Sequence, residues 1–173
     1  MRGNRSSTSR LFRLHPRLIV LAGLLAAPGW LSAATQTTTF TVTLTLQNNC
    51  LISANPLNFG TQGVLSANVD QTTSLSVTCS TAAPYNVGLD AGTTTGSTVA
   101  ARLLAGSGGA TVGFQLYSDS AHTQVWGNTI GTNTVTGTGT GTAQTLTVYG
   151  RVPQQSTPDA GTYTSTVTAT ITF

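Results

Sequence analysis

The sequence predicts an all-β fold, a sandwich or barrel built from short strands. Apolar residues recur at every second position in several stretches, which is typical of strands with one buried face. Turn-forming residues such as Asn-Pro, Asp-Ala-Gly and Gly-Ser-Gly-Gly separate these stretches. After residue 34, no window of ten or more residues has the period of an amphipathic helix.

The alternation is clearest in residues 37–46 and at the carboxyl end of the chain. In residues 37–46 threonine alternates with one apolar face, formed by Phe40, Val42, Leu44 and Leu46. At the carboxyl end the apolar face consists of Val167, Ala169, Ile171 and Phe173. Threonine is β-branched and suits the solvent face of a strand, so both stretches are predicted strands.

After the first stretch the pattern predicts an extended segment at residues 50–52 and then about seven strands, the last of which contains the carboxyl-terminal stretch. These strands cover residues 57–60, 71–80, 85–89, 99–104, 112–117, 146–149 and 163–173. The Gly-Thr tract at residues 132–142 has low complexity and is predicted to be a mobile loop.

Residues 1–34 are predicted to be a secretory signal peptide. Five arginines precede an apolar run at residues 18–27, and small residues follow at the predicted cleavage site, Ala33 or Ala34. A membrane anchor is the weaker interpretation, because a span needs about 20 apolar residues. We therefore expect the chain to be exported.

Removal of this leader reverses the charge of the chain. Residues 35–173 keep two arginines against four aspartates, a net charge of −2, so no basic surface for nucleic acid is expected. Charged residues make up 6% of the chain, against about 25% in a typical soluble domain. So low a charge content favours a protein that faces other copies of itself.

The two cysteines, Cys50 and Cys79, are predicted to form a disulfide, the usual state in an exported chain. Cys79 lies on the inward face of its strand, where it could meet Cys50 across the sandwich or along a strand pair. Two free thiols are the alternative. The crosslink would stabilise the fold by about 3–4 kcal/mol. His122 is the only histidine after the leader, so we predict no metal site and no cofactor.

Catalysis is not expected. The sequence has no nucleophile elbow, zinc-binding helix motif or phosphate-binding loop, and it contains no glutamate. Its four aspartates stand beside turn residues, where aspartate is common for backbone reasons.

Two further sets of side chains have a functional and a structural interpretation. Trp126, Tyr117 and Tyr149 could form a platform for a ligand, although packing in the core and at strand edges is favoured. Arg102 and Arg151 could bind an anion, although pairing with an aspartate or a backbone carbonyl is favoured.

An ordered set of short motifs resembles the spore coat protein U domain, the subunit of archaic chaperone–usher (Csu-type) pili of Gram-negative bacteria. The set comprises Cys50, LNFG at 57–60, Cys79, Tyr85, LDAG at 89–92, Arg102, LYSD at 116–119, WG at 126–127, YGRVP at 149–153 and residues 158–163. The resemblance covers residues 35–173. Phe114 and Gln115 depart from it, since a tyrosine and a smaller polar residue are expected there.

The resemblance implies an incomplete immunoglobulin-like β-sandwich that lacks its last strand and is completed by donor-strand exchange. A periplasmic chaperone supplies that strand first, and the extension of the next pilus subunit replaces it at an outer-membrane usher. Residues 35–47 would be the extension and residues 48–173 the domain. The donor side chains would be Phe40, Val42, Leu44 and Leu46; the acceptor groove and chaperone contact would be Val167, Ala169, Ile171 and Phe173.

On this basis we expect a structural pilus subunit, exported through the periplasm to the cell surface, that supports adhesion and biofilm formation. From the alternation alone, an ordinary first strand of their own domain is the favoured interpretation of residues 37–46, and the resemblance reverses this in favour of donation to a neighbouring copy. A spore-coat or matrix protein and a monomeric adhesive or carbohydrate-binding sandwich are the alternative functions.

Overall fold

A computed structural model describes residues 33–173, so the predicted signal peptide lies almost wholly outside the described residues. Contacts divide the chain between Thr43 and Leu44. Residues 33–43 have exposed side chains and no regular secondary structure. Residues 44–173 form one compact unit of β-strands.

Eight strands and one short 3-10 helix, Ser107–Gly109, make up this unit. The strands are β1 (Cys50–Ala54), β2 (Val69–Cys79), β3 (Pro84–Leu89), β4 (Arg102–Ala105), β5 (Thr111–Tyr117), β6 (Val135–Thr138), β7 (Ala143–Val152) and β8 (Ala169–Thr172). No helix within residues 33–173 is long and apolar enough to cross a membrane.

The strands form two antiparallel sheets. The five-stranded sheet has the order β1-β2-β7-β5-β4, and the three-stranded sheet has the order β6-β3-β8. Cys50 lies opposite Cys79 at one end of the β1–β2 pair, and the predicted disulfide joins them there. Of the two arrangements open from the sequence, the structure shows the one along a strand pair.

The core lies between the inward faces of the two sheets. From the larger sheet, β2, β5 and β7 supply apolar side chains at alternate positions, as the period of two predicts. From the smaller sheet, β3 supplies Tyr85, Val87 and Leu89, each at most 3% exposed. Trp126 lies among them at 1% exposed, and its indole nitrogen donates to the carbonyl of Val87. The predicted all-β sandwich is confirmed.

Residues 37–46 form no strand among the described residues, and three details of the strands predicted within residues 48–173 are also wrong. Residues 57–60 form no strand, because Asn58 Oδ1 accepts from the amide of Gly60, whose φ of +74° bends the chain. The Gly-Thr tract contains β6, where Gly137 lies so close to Tyr85 that a Cβ would meet its ring at 2.3 Å. Residues 163–168 contribute one isolated bridge, Thr164 to Ala105, and the last strand begins only at Ala169.

Candidate functional site

The outer edge of β8 is the open edge of the three-stranded sheet. Strand β8 pairs with β3 on one side, and within residues 44–173 no strand pairs with it on the other. An unpaired edge presents a row of backbone donors and acceptors to any strand that approaches it. We refer to residues 163–173 as the C-terminal stretch and to its free side as the open edge.

The backbone of the C-terminal stretch bonds to alternate sides. The even-numbered residues turn toward the fold: Thr164 exchanges backbone bonds with Ala105, and Thr168 accepts from the amide of Asp90. The amide groups of Ser165 and Val167 have no hydrogen-bond acceptor, and their carbonyls no backbone donor, within residues 44–173. By the same alternation, the odd-numbered residues of β8 also aim their amide and carbonyl groups at the open edge.

The odd-numbered side chains are those that reach the core. Val167, Ala169 and Ile171 are half-buried and pack against core residues, whereas the threonines between them are exposed. Phe173 is 55% exposed. The open edge therefore combines free backbone groups with an apolar face that the fold covers only in part.

Other inward-facing side chains are also only partly covered. They include Ile52 of β1, and Leu57 and Phe59 of the following loop, which lie over Gly150 of β7. In a complete sandwich such side chains are closed off by a further strand.

The four predicted donor side chains are exposed. Phe40 is 85% exposed, Val42 82%, Leu44 81% and Leu46 84%. Residues 37–46 form no strand among the described residues. Isolated exposed apolar residues are ordinary, but four on one face of a ten-residue stretch are not.

The segment that follows these residues is firmly attached to β2. Ser80 donates its amide to the carbonyl of Asn49 at 2.9 Å, and its hydroxyl accepts from the amide of Asn49 at 3.0 Å. The Cys50–Cys79 disulfide lies immediately beyond.

A buried polar cluster lies behind the turn that follows β3. Arg102 is fully buried and its five N–H groups all find acceptors. These acceptors are the backbone carbonyls of Leu89, Asp90, Val99 and Trp126 and the side-chain oxygen of Gln115. Burial lowers the pKa of Arg102 to about 10, against the opposing effect of Asp90. The favoured pairing of Arg102 with carbonyls is confirmed.

Gln115, where the sequence departs from the resemblance, is part of the same cluster. Its amide nitrogen donates to the carbonyls of Val99 and Ala100, both at 3.0 Å, while its oxygen serves Arg102. Sequence reasoning missed this cluster, since a lone arginine and a glutamine 13 positions apart carry no motif.

The outer face of the larger sheet carries a second group of polar and aromatic side chains. Asp70 and Arg151 face each other across β2 and β7 and form two hydrogen bonds, of 2.6 and 2.7 Å. His122 packs edge-on between Tyr117 and Tyr149, with ring centroids 5.1 and 6.2 Å away. The histidine thus occupies the space where a ligand would stack, and Trp126 belongs to the core, so the aromatic residues do not form one platform.

Elsewhere in residues 33–173, metal-ligating side chains do not cluster. Within residues 33–173, no group of three or more His, Cys, Asp or Glu side chains could hold a metal ion. Two shallow surface pockets of about 190 and 200 Å³ are lined mainly by threonine, asparagine, glycine and alanine. Neither pocket contains an ionisable side chain, so the open edge is the strongest candidate site.

Comparison with known proteins gave two findings. The family profile of the Spore Coat Protein U domain matches residues 36–170. A chain of the crystal structure of the CsuC–CsuE chaperone–tip adhesion subunit pre-assembly complex, from archaic chaperone–usher Csu pili of Acinetobacter baumannii, matches with a TM-score of 0.55 and 22% identity. The match covers 75% of this chain and 41% of that one, so this chain spans less than half its length. No curated protein matches.

Proposed function

The chain belongs to the Spore Coat Protein U domain family, and we propose that it is a structural subunit of a surface pilus assembled through donor-strand complementation. The open edge of the C-terminal stretch carries this proposal. Residues 48–173 would be the acceptor domain, and residues 35–47, which we call the arm, would complete the domain of another copy.

The geometry of the open edge restricts how an added strand would pair. Opposite residues in an antiparallel pair point to the same face of the sheet. The inward side chains of the arm would then lie opposite Val167, Ala169 and Ile171, and its threonines would face outward. Phe40, Val42, Leu44 and Leu46 have the spacing that this arrangement needs.

Burial supplies the driving force. Four such side chains, at about 1.5–3 kcal/mol each, would contribute at most about 6–12 kcal/mol, and the backbone ladder adds to this. A contact from the arm of one copy to the open edge of another is heterologous and does not close on itself, so it propagates into a fibre.

The proposal implies a set of partners. A half-covered apolar edge would aggregate during export unless another strand covered it, which is the role of a periplasmic chaperone. An outer-membrane usher would exchange the chaperone for the next arm. The solved complex of a chaperone with a pilus tip subunit supports this pathway. We place the assembled fibre on the cell surface, where it would support adhesion and biofilm formation.

Charged substitutions in the arm test the proposal. Leu44→Asp should abolish the ladder of fibres that resists cold SDS, because the carboxylate would have to enter an apolar groove. Thr45→Asp, one position along and on the outward face, is the matched control and should retain the ladder. Fibres of normal length from Leu44→Asp would contradict the proposed function.

A further inference from the structure

The C-terminal stretch changes partners along its length. Thr164 bonds to Ala105 at the edge of the five-stranded sheet, whereas β8 pairs with β3 in the other sheet. Residues 165–168 lie between these two attachments and belong to no strand. Something other than a β-ladder must hold them extended.

Two side chains from the turn after β3 do so. Thr93 Oγ1 accepts from the amide of Thr166 at 3.1 Å, and Asp90 Oδ1 accepts from the amide of Thr168 at 2.9 Å. The amide of Asp90 in turn donates to the carbonyl of Thr168 at 3.1 Å. The amides of Thr166 and Thr168 on the inner side of the stretch thereby have acceptors, and the backbone groups of Ser165 and Val167 are left facing the open edge.

The turn is itself held by hydrogen bonds and by a close approach to the stretch. Asp90 Oδ1 also accepts from the amide of Gly92, whose φ is +84°. Gly92 lies so near the stretch that a Cβ there would meet Ser165 Oγ at 2.5 Å. Behind the turn, Arg102 donates to the carbonyl of Asp90 at 2.9 Å and fixes its backbone.

The charge of Asp90 suits this role. Burial raises its pKa, but hydrogen bonds from Thr168 and Gly92, together with Arg102, outweigh that effect, and the pKa lies below its ordinary value. The carboxylate therefore stays ionised at neutral pH, and a charged acceptor forms stronger hydrogen bonds to backbone amides than a neutral one.

We propose that Asp90, assisted by Thr93, is a positioning residue that holds the open edge extended before a donor strand arrives. The inference rests on the proposed function, because it concerns the same edge. An edge that is already extended loses less conformational entropy when a strand is added, so the incoming arm binds faster and more tightly.

The test follows fibre growth of the purified mature chain by the rate at which SDS-resistant ladders appear. Asp90→Ala should slow growth about tenfold, equivalent to about 1.4 kcal/mol. Asp90→Asn, which keeps an acceptor oxygen, and Thr93→Val should each slow it only about threefold. Asp119→Ala is the matched control: Asp119 accepts from Thr123 and Gln124 in a different turn, and its loss should leave the rate unchanged.

If Asp90→Ala does not fold, Thr93→Val is the variant that tests the inference. Hydrogen exchange adds a second readout: in Asp90→Asn and Thr93→Val, the amides of Thr168 and Thr166 respectively should exchange faster than in the wild type. Wild-type growth rates in the Asp90 and Thr93 variants, or equal slowing in Asp119→Ala, would overturn the inference. If Leu44→Asp still formed fibres, the proposed function itself would fail, which is a separate outcome.

Discussion

The buried polar cluster around Arg102 and the open edge along β8 lie in the same sandwich, but their polar groups are paired to very different extents. In the buried polar cluster, every donor of the fully buried guanidinium finds an acceptor. At the edge, Val167 and Ile171 are half-buried, and Ser165 and Val167 leave backbone groups unpaired within residues 44–173. The comparison indicates that unpaired backbone groups beside a half-buried apolar face are a local feature of the open edge, whereas the polar groups around Arg102 are paired within the fold.

The few charges of the chain support this interpretation. Asp70 and Arg151 pair on the outer face of the larger sheet, Asp90 and Arg102 stabilise the turn behind the C-terminal stretch, and Asp119 closes a turn. None of these side chains lines the open edge, so an incoming strand would not have to bury a charge.

Arg102→Met should give the largest change in stability. It would leave the buried carbonyls of Leu89 and Trp126 without donors, and we expect a loss of about 3–5 kcal/mol in the free energy of unfolding. Arg151→Met on the surface should cost less than about 1 kcal/mol. Urea denaturation of the mature chain measures both losses in the free energy of unfolding. Equal losses in the two variants would contradict the contrast between the buried polar cluster and the surface pair.

Loss of the disulfide should give the next largest decrease in the free energy of unfolding. Replacing Cys50 and Cys79 with serine frees a loop with a sequence separation of 29 in the unfolded chain, at a cost of about 3–4 kcal/mol. Wild-type protein measured under reducing conditions should lose a similar amount. If the double variant unfolds at the wild-type urea midpoint, the crosslink does not stabilise the fold.

The open edge predicts a smaller effect that depends on assembly. Ile171→Ala should weaken the fibre by about 2 kcal/mol, because the arm of the next copy would complete the burial of this side chain. Thr170→Ala, on the exposed face, is the control and should change little. The temperature at which fibres dissociate in SDS measures the difference; indistinguishable variants would mean that β8 is not the acceptor.

The smallest effect is expected at Asp70. The hydrogen bonds from Arg151 outweigh burial and hold the pKa of Asp70 below its ordinary value. Its contribution is therefore complete above the unfolded pKa of about 3.9 and is lost as the pH falls through the lower folded value. Asp70→Asn should cost less than about 1 kcal/mol at pH 7 and less still in high salt. A cost independent of pH between 7 and 2 would contradict this pairing.

Strands with strict alternation could be predicted from the sequence. Leu75 and Val77 in β2, and Val112 and Phe114 in β5, are buried as their period requires. Strand β6 could not be predicted. Its Gly137 leaves room for the ring of Tyr85, which comes from a distant part of the chain. The local pattern of residues 57–60 predicts a strand, but the hydrogen bond that the amide of Gly60 donates to Asn58 Oδ1 bends the chain there.

For the candidate site, alternation in the sequence predicts the apolar positions of the C-terminal stretch. It does not predict the side chains whose hydrogen bonds position that stretch. Asp90 stands in an ordinary turn motif, and its bond to Thr168 spans 78 positions. The burial of Arg102 could not be predicted from the sequence either, because its acceptors are mainly backbone carbonyls, which every residue has. Alternation within one strand can be recognised locally, whereas such long-range contacts cannot.

Cysteine crosslinking between copies tests the central claim most directly. Chains with Ala169→Cys would be mixed with chains carrying one arm cysteine at position 42, 43, 44, 45 or 46, and then oxidised. We predict reducible crosslinks between different copies, formed from positions 42, 44 or 46 and not from 43 or 45, since only inward-facing residues meet Ala169 across the pair. Crosslinks from the outward positions, or none from any of the five, would contradict the account.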